Sequence, residues 1–145
     1  MRIDTLGKIT PISVPGVIFG AAITGAFVEL TNYQQVTFIV ASGEGDTGET
    51  TITVEGKFGS SGTAAAIPFM YAVTGDAGFE EKTAAGTTFT IGGASGKSKY
   101  AIITVTDTML AKAGYDRVCV KTTKVTSSTV PGAIYAVQTK PRYLE

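Results

Sequence analysis

Tyr33-Gln-Gln-Val-Thr-Phe-Ile-Val-Ala-Ser42 is the stretch that decides the fold class. It has no helical period, it is rich in β-branched and aromatic residues, and glycine-bearing sequence follows it at once. At a period of two, Val36, Phe38 and Val40 fall on one face and Thr37 and Ile39 on the other. This reads as the central strand of a sheet, buried on one side and partly covered on the other.

The surrounding sequence supplies partners for that strand. Upstream, Gly16-Val-Ile-Phe-Gly20 and Ala26-Phe-Val-Glu-Leu30 read as short strands flanking a turn at 21–25. Downstream, 43–48 is a glycine-rich loop. Residues 49–56 alternate, with Ile52 and Val54 inward and Thr51, Thr53 and Glu55 outward, as in an antiparallel strand with one wet face. Residues 64–73 form a strand bent at Pro68, 74–86 a polar loop, 87–91 a short strand, 92–97 a glycine turn and 100–106 a long, covered strand. Asp107 is expected to cap one helical turn over 109–113, which Gly114 ends. Val118 and Val120 point inward from a strand over 115–121, and 132–138 is the last strand. Many short strands and almost no helix mean an all-β antiparallel β-sandwich, jelly-roll-like or Ig-like, with at most one short helical turn. Pro11 and Pro15 hold the residues before them out of the helical region, so 9–14 runs as an edge strand or an open arm. The chain thus divides into an extended N-terminal arm (1–15), a single sandwich domain (16–138) and a C-terminal tail (139–145).

Composition narrows the function. Twelve basic and twelve acidic residues in a chain of 145 give a formal net charge of zero. A nucleic-acid binder shows a basic excess, so no nucleic acid is expected as a partner. Low charge also tolerates close packing with copies of the chain or with another protein. The chain has no histidine, and so lacks the commonest general base and metal ligand. Cys119 is the single cysteine, which fits folding in a reducing cytoplasm without an internal disulfide. The N-terminus has no signal-peptide pattern. The most apolar run, 16–30, is too short to span a bilayer, is broken by Gly20 and Gly25 and carries Glu29, so no membrane partner is expected.

No group of residues carries a chemical signature. Glu44, Asp46 and Thr47 offer oxygens, but without the order of a calcium loop. The run Gly92-Gly-Ala-Ser-Gly-Lys-Ser98 has one residue too few for a phosphate-binding loop and leads into a strand where that motif needs a helix. Cys119 has no histidine to activate it and reads as a small apolar filler. Asp76, Glu80 and Glu81 read as a solvated loop rather than a carboxylate pair. Neither an enzyme nor a cofactor or metal site is expected. The arm and the tail are the segments least able to pack in their own domain. They read either as frayed ends or as arms that order on a neighbouring subunit.

Several stretches carry a resemblance: Leu6-Gly-Lys-Ile-Thr-Pro-Ile12, Ala26-Phe-Val-Glu-Leu-Thr-Asn-Tyr-Gln-Gln-Val-Thr-Phe-Ile-Val40, Gly62-Thr-Ala-Ala-Ala-Ile-Pro-Phe69, Ala113-Gly-Tyr-Asp-Arg-Val118 and Arg142-Tyr143. In this order they resemble small structural proteins of tailed bacteriophages, of the head decoration (capsid cement) type. The resemblance implies a β-sandwich that binds the major capsid protein on the virion surface in many copies, as a dimer or trimer, after assembly in the host cytoplasm. It places partner binding on the arm and tail, at Ile9, Pro11, Ile12, Val14, Arg142 and Tyr143. Trimming residues 1–14 would then release the shell and leave the sandwich folded. A tail-tube or head–tail connector subunit is the alternative. A carbohydrate-binding sandwich is a second, and the absence of tryptophan counts against it.

Overall fold

A computed structural model of the protein describes residues 7–93 and 98–142. Among these, the elements in chain order are β1 (Gly7–Pro11), β2 (Gly16–Val17), β3 (Ile23–Thr24), β4 (Val28–Glu29), β5 (Tyr33–Ser42), β6 (Gly45–Lys57), β7 (Ala65–Ala66), β8 (Phe69–Val73), β9 (Glu80–Lys82), β10 (Thr87–Gly93), β11 (Lys99–Thr106), α1 (Asp107–Lys112), β12 (Arg117–Thr122) and β13 (Pro131–Pro141). The larger sheet runs β1-β13-β5-β11-β8-β9, with β2 added on β13. The smaller runs β10-β6-β12-β3, with β4 also on β12 and β7 on β6. Every pairing is antiparallel. The expected antiparallel β-sandwich with one short helix is the architecture observed.

The quoted stretch is β5, lying between β11 and β13 in the larger sheet. Val36, Phe38 and Val40 are fully buried on its inner face, while Thr37 and Ile39 are half-buried on the other. From the smaller sheet, Ile52 and Val54 of β6 and Val118 and Val120 of β12 complete the same apolar core. Removal of this surface from water is the main driving force for the fold. One buried polar tie crosses between the sheets: Gln138 Nε2 of β13 donates to the Glu29 carbonyl of β4 at 2.6 Å. A buried amide needs such a partner.

Several elements depart from the sequence reading. The run 64–73 is two strands in different sheets: β7 pairs with β6, β8 with β11, and the chain changes sheet at Ile67 and Pro68. The polar stretch 74–86 contains β9, paired with β8. The loop placed at 43–48 shortens to Gly43 and Glu44, because β6 begins at Gly45. Opposite that start, Gly92 takes a φ of 63°, and a Cβ there would lie 2.5 Å from the Asp46 carbonyl oxygen. Glycine lets β10 bulge where it meets β6. The cap of α1 is Thr106, whose hydroxyl accepts from Met109 N at 3.2 Å, and Asp107 sits in the first turn. Gly114, at a φ of 80°, follows the helix as expected.

The two ends also differ from the expected division at 15 and 139. β1 is hydrogen-bonded along β13 from Gly7↔Thr139 to Pro11↔Tyr135, so 7–11 is the edge strand rather than the open arm. β13 continues through Pro141, so residues 139–141 belong to the sheet and not to a tail.

Candidate functional site

The residues assigned to partner binding divide into two groups. Ile9 and Pro11 lie on β1, exposed at the sheet edge, with Ile9 52% accessible. Beyond β1 the chain folds over β13: Ile12 N and Ser13 N both donate to the Ile134 carbonyl, and Ile134 N donates to Ser13 Oγ at 2.8 Å. Ile12 turns inward and packs against the core. A Cβ at Gly25 would lie 2.7 Å from its Cγ2, so Ile12 closes the gap to the smaller sheet rather than facing a partner. Val14 points out of this fold-over at 84% exposure, and Val17 of β2 at 64%. Beside them Pro15, Gly16, Tyr100 and Pro131 line a shallow, largely apolar depression. The sequence reading missed Val17, which sits in an unbroken apolar run whose alternation is hidden.

At the other end, Arg142 is occupied within the chain. Its guanidinium donates to Asp107 Oδ2 at 2.6 Å, and its backbone N donates to the Asn32 carbonyl at 3.0 Å. These bonds fasten the end of β13 to the start of α1 and the turn before β5. Tyr143 lies outside the described residues, as do 1–6, 94–97, 144 and 145.

The outer faces of the two sheets have opposite character. On the smaller sheet, Lys121 Nζ meets Glu55 at 2.9 and 2.8 Å from its two carboxylate oxygens, and Arg117 pairs with Glu29 at 3.2 Å. Donation of its hydrogen bond to the Glu55 carboxylate raises the Lys121 pKa. On the larger sheet, register lines Pro11, Tyr135, Ile39, Ile102 and Ala72 into one row across five strands. The next row is Ile9, Val137, Thr37, Thr104 and Met70. Glu81, opposite Met70 on the outermost strand, is the first charged residue along that row.

No protein-family model and no curated protein matches the chain. Its fold is similar to the crystal structure of SPBc2 prophage-derived protein YomS, with a TM-score of 0.55 and 10% sequence identity over 92% of this chain and 93% of that one. At that identity the likeness is one of fold, and its coverage includes both sheets.

Three of the remaining candidate carboxylates, Asp46, Asp76 and Glu80, have local structural partners. Asp46 accepts from Thr129 Oγ1 at 3.1 Å. Asp76 accepts from Val73 N at 2.7 Å and closes the turn after β8. Glu80 is paired with Lys82 at 2.8 Å. Among the described residues, no three His, Cys, Asp or Glu side chains gather as a metal site. Cys119 is fully buried opposite Glu55 in the β12–β6 ladder, and burial first, then the Glu55 charge, pushes its thiol up to about 11. A thiol held protonated is a poor nucleophile. Cys119 is therefore expected to react with an alkylating reagent only on unfolding. Stoichiometric labelling of the native protein at neutral pH, read by intact mass, would contradict its placement.

Proposed function

We propose that this chain is a structural protein of a tailed-phage particle that decorates the head. It binds the major capsid protein on the outer surface of the shell in many copies and stabilises it. The observation that carries the reading is the pair of exposed valines, Val14 and Val17, beside the depression at Pro15 and Pro131. Isolated apolar side chains at these exposures would be unremarkable, but Val14 and Val17 beside an apolar depression suit a binding surface. The shared fold with a prophage-derived protein supports a phage origin, and the resemblance in sequence supports the head. Weak contacts suffice in this role, because a repeating shell multiplies them through avidity.

Removing residues 1–14 is not the clean test that an open arm would allow, because it strips β1 from β13 and Ile12 from the core. The exposed valines give a better one. Burial of each is worth about 1.5 kcal/mol, so Val14→Asp with Val17→Asp is expected to weaken binding at each shell site by about 100-fold. The assay is co-sedimentation with shells lacking the protein. Saturable binding by the parent chain, lost in the double variant at an unchanged melting temperature, is the expected result. Absence of shell binding, with rings or tubes formed in solution, would move the protein to the tail tube or connector.

A further inference from the structure

We infer that the outer face of the larger sheet is where a second copy of this chain docks, sheet against sheet about a twofold axis. The inference concerns the free protein, because Ile9 and the Tyr100 side of the depression, assigned above to the shell, lie on this same face.

Three observations lead to this occupant. The first is charge. In a twofold interface a surface meets itself, so any charge near the axis meets a like charge. The face has no Asp, Glu, Lys or Arg at its outward positions on β5, β11 and between Ala133 and Thr139 of β13, and the chain's formal net charge is zero. The smaller sheet, with Glu55, Lys121, Arg117 and Glu29 on its outer face, is built for water instead.

The second is the state of the sheet edges. Self-association of β proteins often proceeds by strand addition, and both edges of this sheet discourage it. β1 is five residues long and ends at Pro11, which has no N–H to donate. β9 is three residues long and every one is charged: Glu80, Glu81 and Lys82. On this sheet the open face is the route left for pairing.

The third is size. Five residues on each of β1 and β8 and eight on each of β13, β5 and β11, at about 4.8 Å by 3.4 Å per residue, give roughly 550 Å² in plan. Side-chain relief raises the accessible area above the plan value, towards the about 800 Å² per partner of a standard stable interface. A face with Ile39, Ile102 and Tyr135 at its centre suits a second sheet packed about 10 Å away, as in sandwich cores.

The test is the mass of the full chain by sedimentation and native mass spectrometry across a concentration series. The parent chain is expected to dimerise reversibly. Ile39 lies on β5 beside β11, in the middle of the strand order, so near the axis it faces its own copy. Ile39→Lys brings two ammonium groups together within about one Debye length and is expected to weaken the dimer by about 100-fold or more. Ile39→Glu does the same. An equimolar mixture of the two variants pairs opposite charges, and a heterodimer that neither variant forms with itself is the decisive expected result. Because position 39 points away from the core, both variants should keep a cooperative melt. If Ile39→Lys does not, Ile102→Lys with Ile102→Glu, one strand over, carries the same comparison. A parent chain that stays monomeric throughout overturns the inference. So does an oligomer that the charged variants leave intact, or a mixture that does not recombine.

Discussion

Replacing Phe38 with alanine is expected to cost about 3–5 kcal/mol, the range for deleting a buried aromatic side chain. Phe38 is fully buried on β5, with Ile103 of β11 on one side and Ala136 of β13 on the other. Both flanking strands are hydrogen-bonded to β5, so the backbone is poorly able to collapse into the space vacated by the ring. A domain of this size holds about 5–15 kcal/mol in all, and the loss lowers the melting temperature by about 10 °C. Ile39→Ala, one residue away on the opposite face, is the matched control. It removes a half-buried side chain and costs the dilute monomer about 1 kcal/mol. The two variants also differ in how their cost depends on protein concentration. That of Phe38→Ala stays nearly constant, whereas that of Ile39→Ala grows as the dimer populates, because binding stabilises the folded state by mass action. Equal costs for the two in thermal or urea unfolding would contradict the assignment of Phe38 to the inner face of β5 and Ile39 to the outer.

The inner and outer faces of β5 and β6 were legible because strict alternation leaves no second register: a slip of one residue would turn Val36, Phe38 and Val40 to water. The same rule explains the failures. β9 is Glu-Glu-Lys, and an edge strand that defends itself with charge looks like a loop. Residues 64–73 carry one continuous apolar signal, yet Pro68 sits where the chain leaves one sheet for the other, and periodicity does not report which sheet a strand joins. The partner residues divided for a related reason. Exposure of Ile9 and Val14 follows from their position at a proline-bearing edge, which the sequence displays. The inward turn of Ile12 depends on Gly25, and the engagement of Arg142 depends on Asp107, both non-local contacts. The uncharged outer face was visible only in part. That Thr37 and Ile39 face outward can be read from β5 alone, but the row from Pro11 through Tyr135, Ile39 and Ile102 to Ala72 exists only once the strand order is known.

Alkaline pH is expected to destabilise the fold through two buried acids, and each has its own window. Burial holds the Cys119 thiol protonated up to about 11, against an ordinary value of 9.0. Burial and the nearby Asp76 charge push the Tyr71 phenol from 10.0 up to about 12. Below pH 9 both groups carry their protons in the folded and the unfolded chain, and neither affects stability. As pH rises from 9 to 11 the unfolded chain releases the thiol proton while the folded chain keeps it, so unfolding becomes easier. The phenol does the same between 10 and 12. Each contributes about 1.4 kcal/mol per pH unit within its window, and together they remove roughly 5 kcal/mol by pH 12. Lys121 acts in the same direction, because its raised pKa reflects a bond to Glu55 that is lost when the ammonium deprotonates. Urea unfolding at intervals from pH 8 to 12 separates the terms. Cys119→Ala is expected to flatten the fall between 9 and 11, and Tyr71→Phe the fall between 10 and 12. Tyr71→Phe should cost little at neutral pH, since the buried hydroxyl makes no hydrogen bond among the described residues and its removal relieves a desolvated polar atom. A Cys119→Ala variant whose stability falls with pH as steeply as the parent's between 9 and 11 would show that the thiol reaches water. That would contradict the burial of Cys119 opposite Glu55, on which its inertness depends.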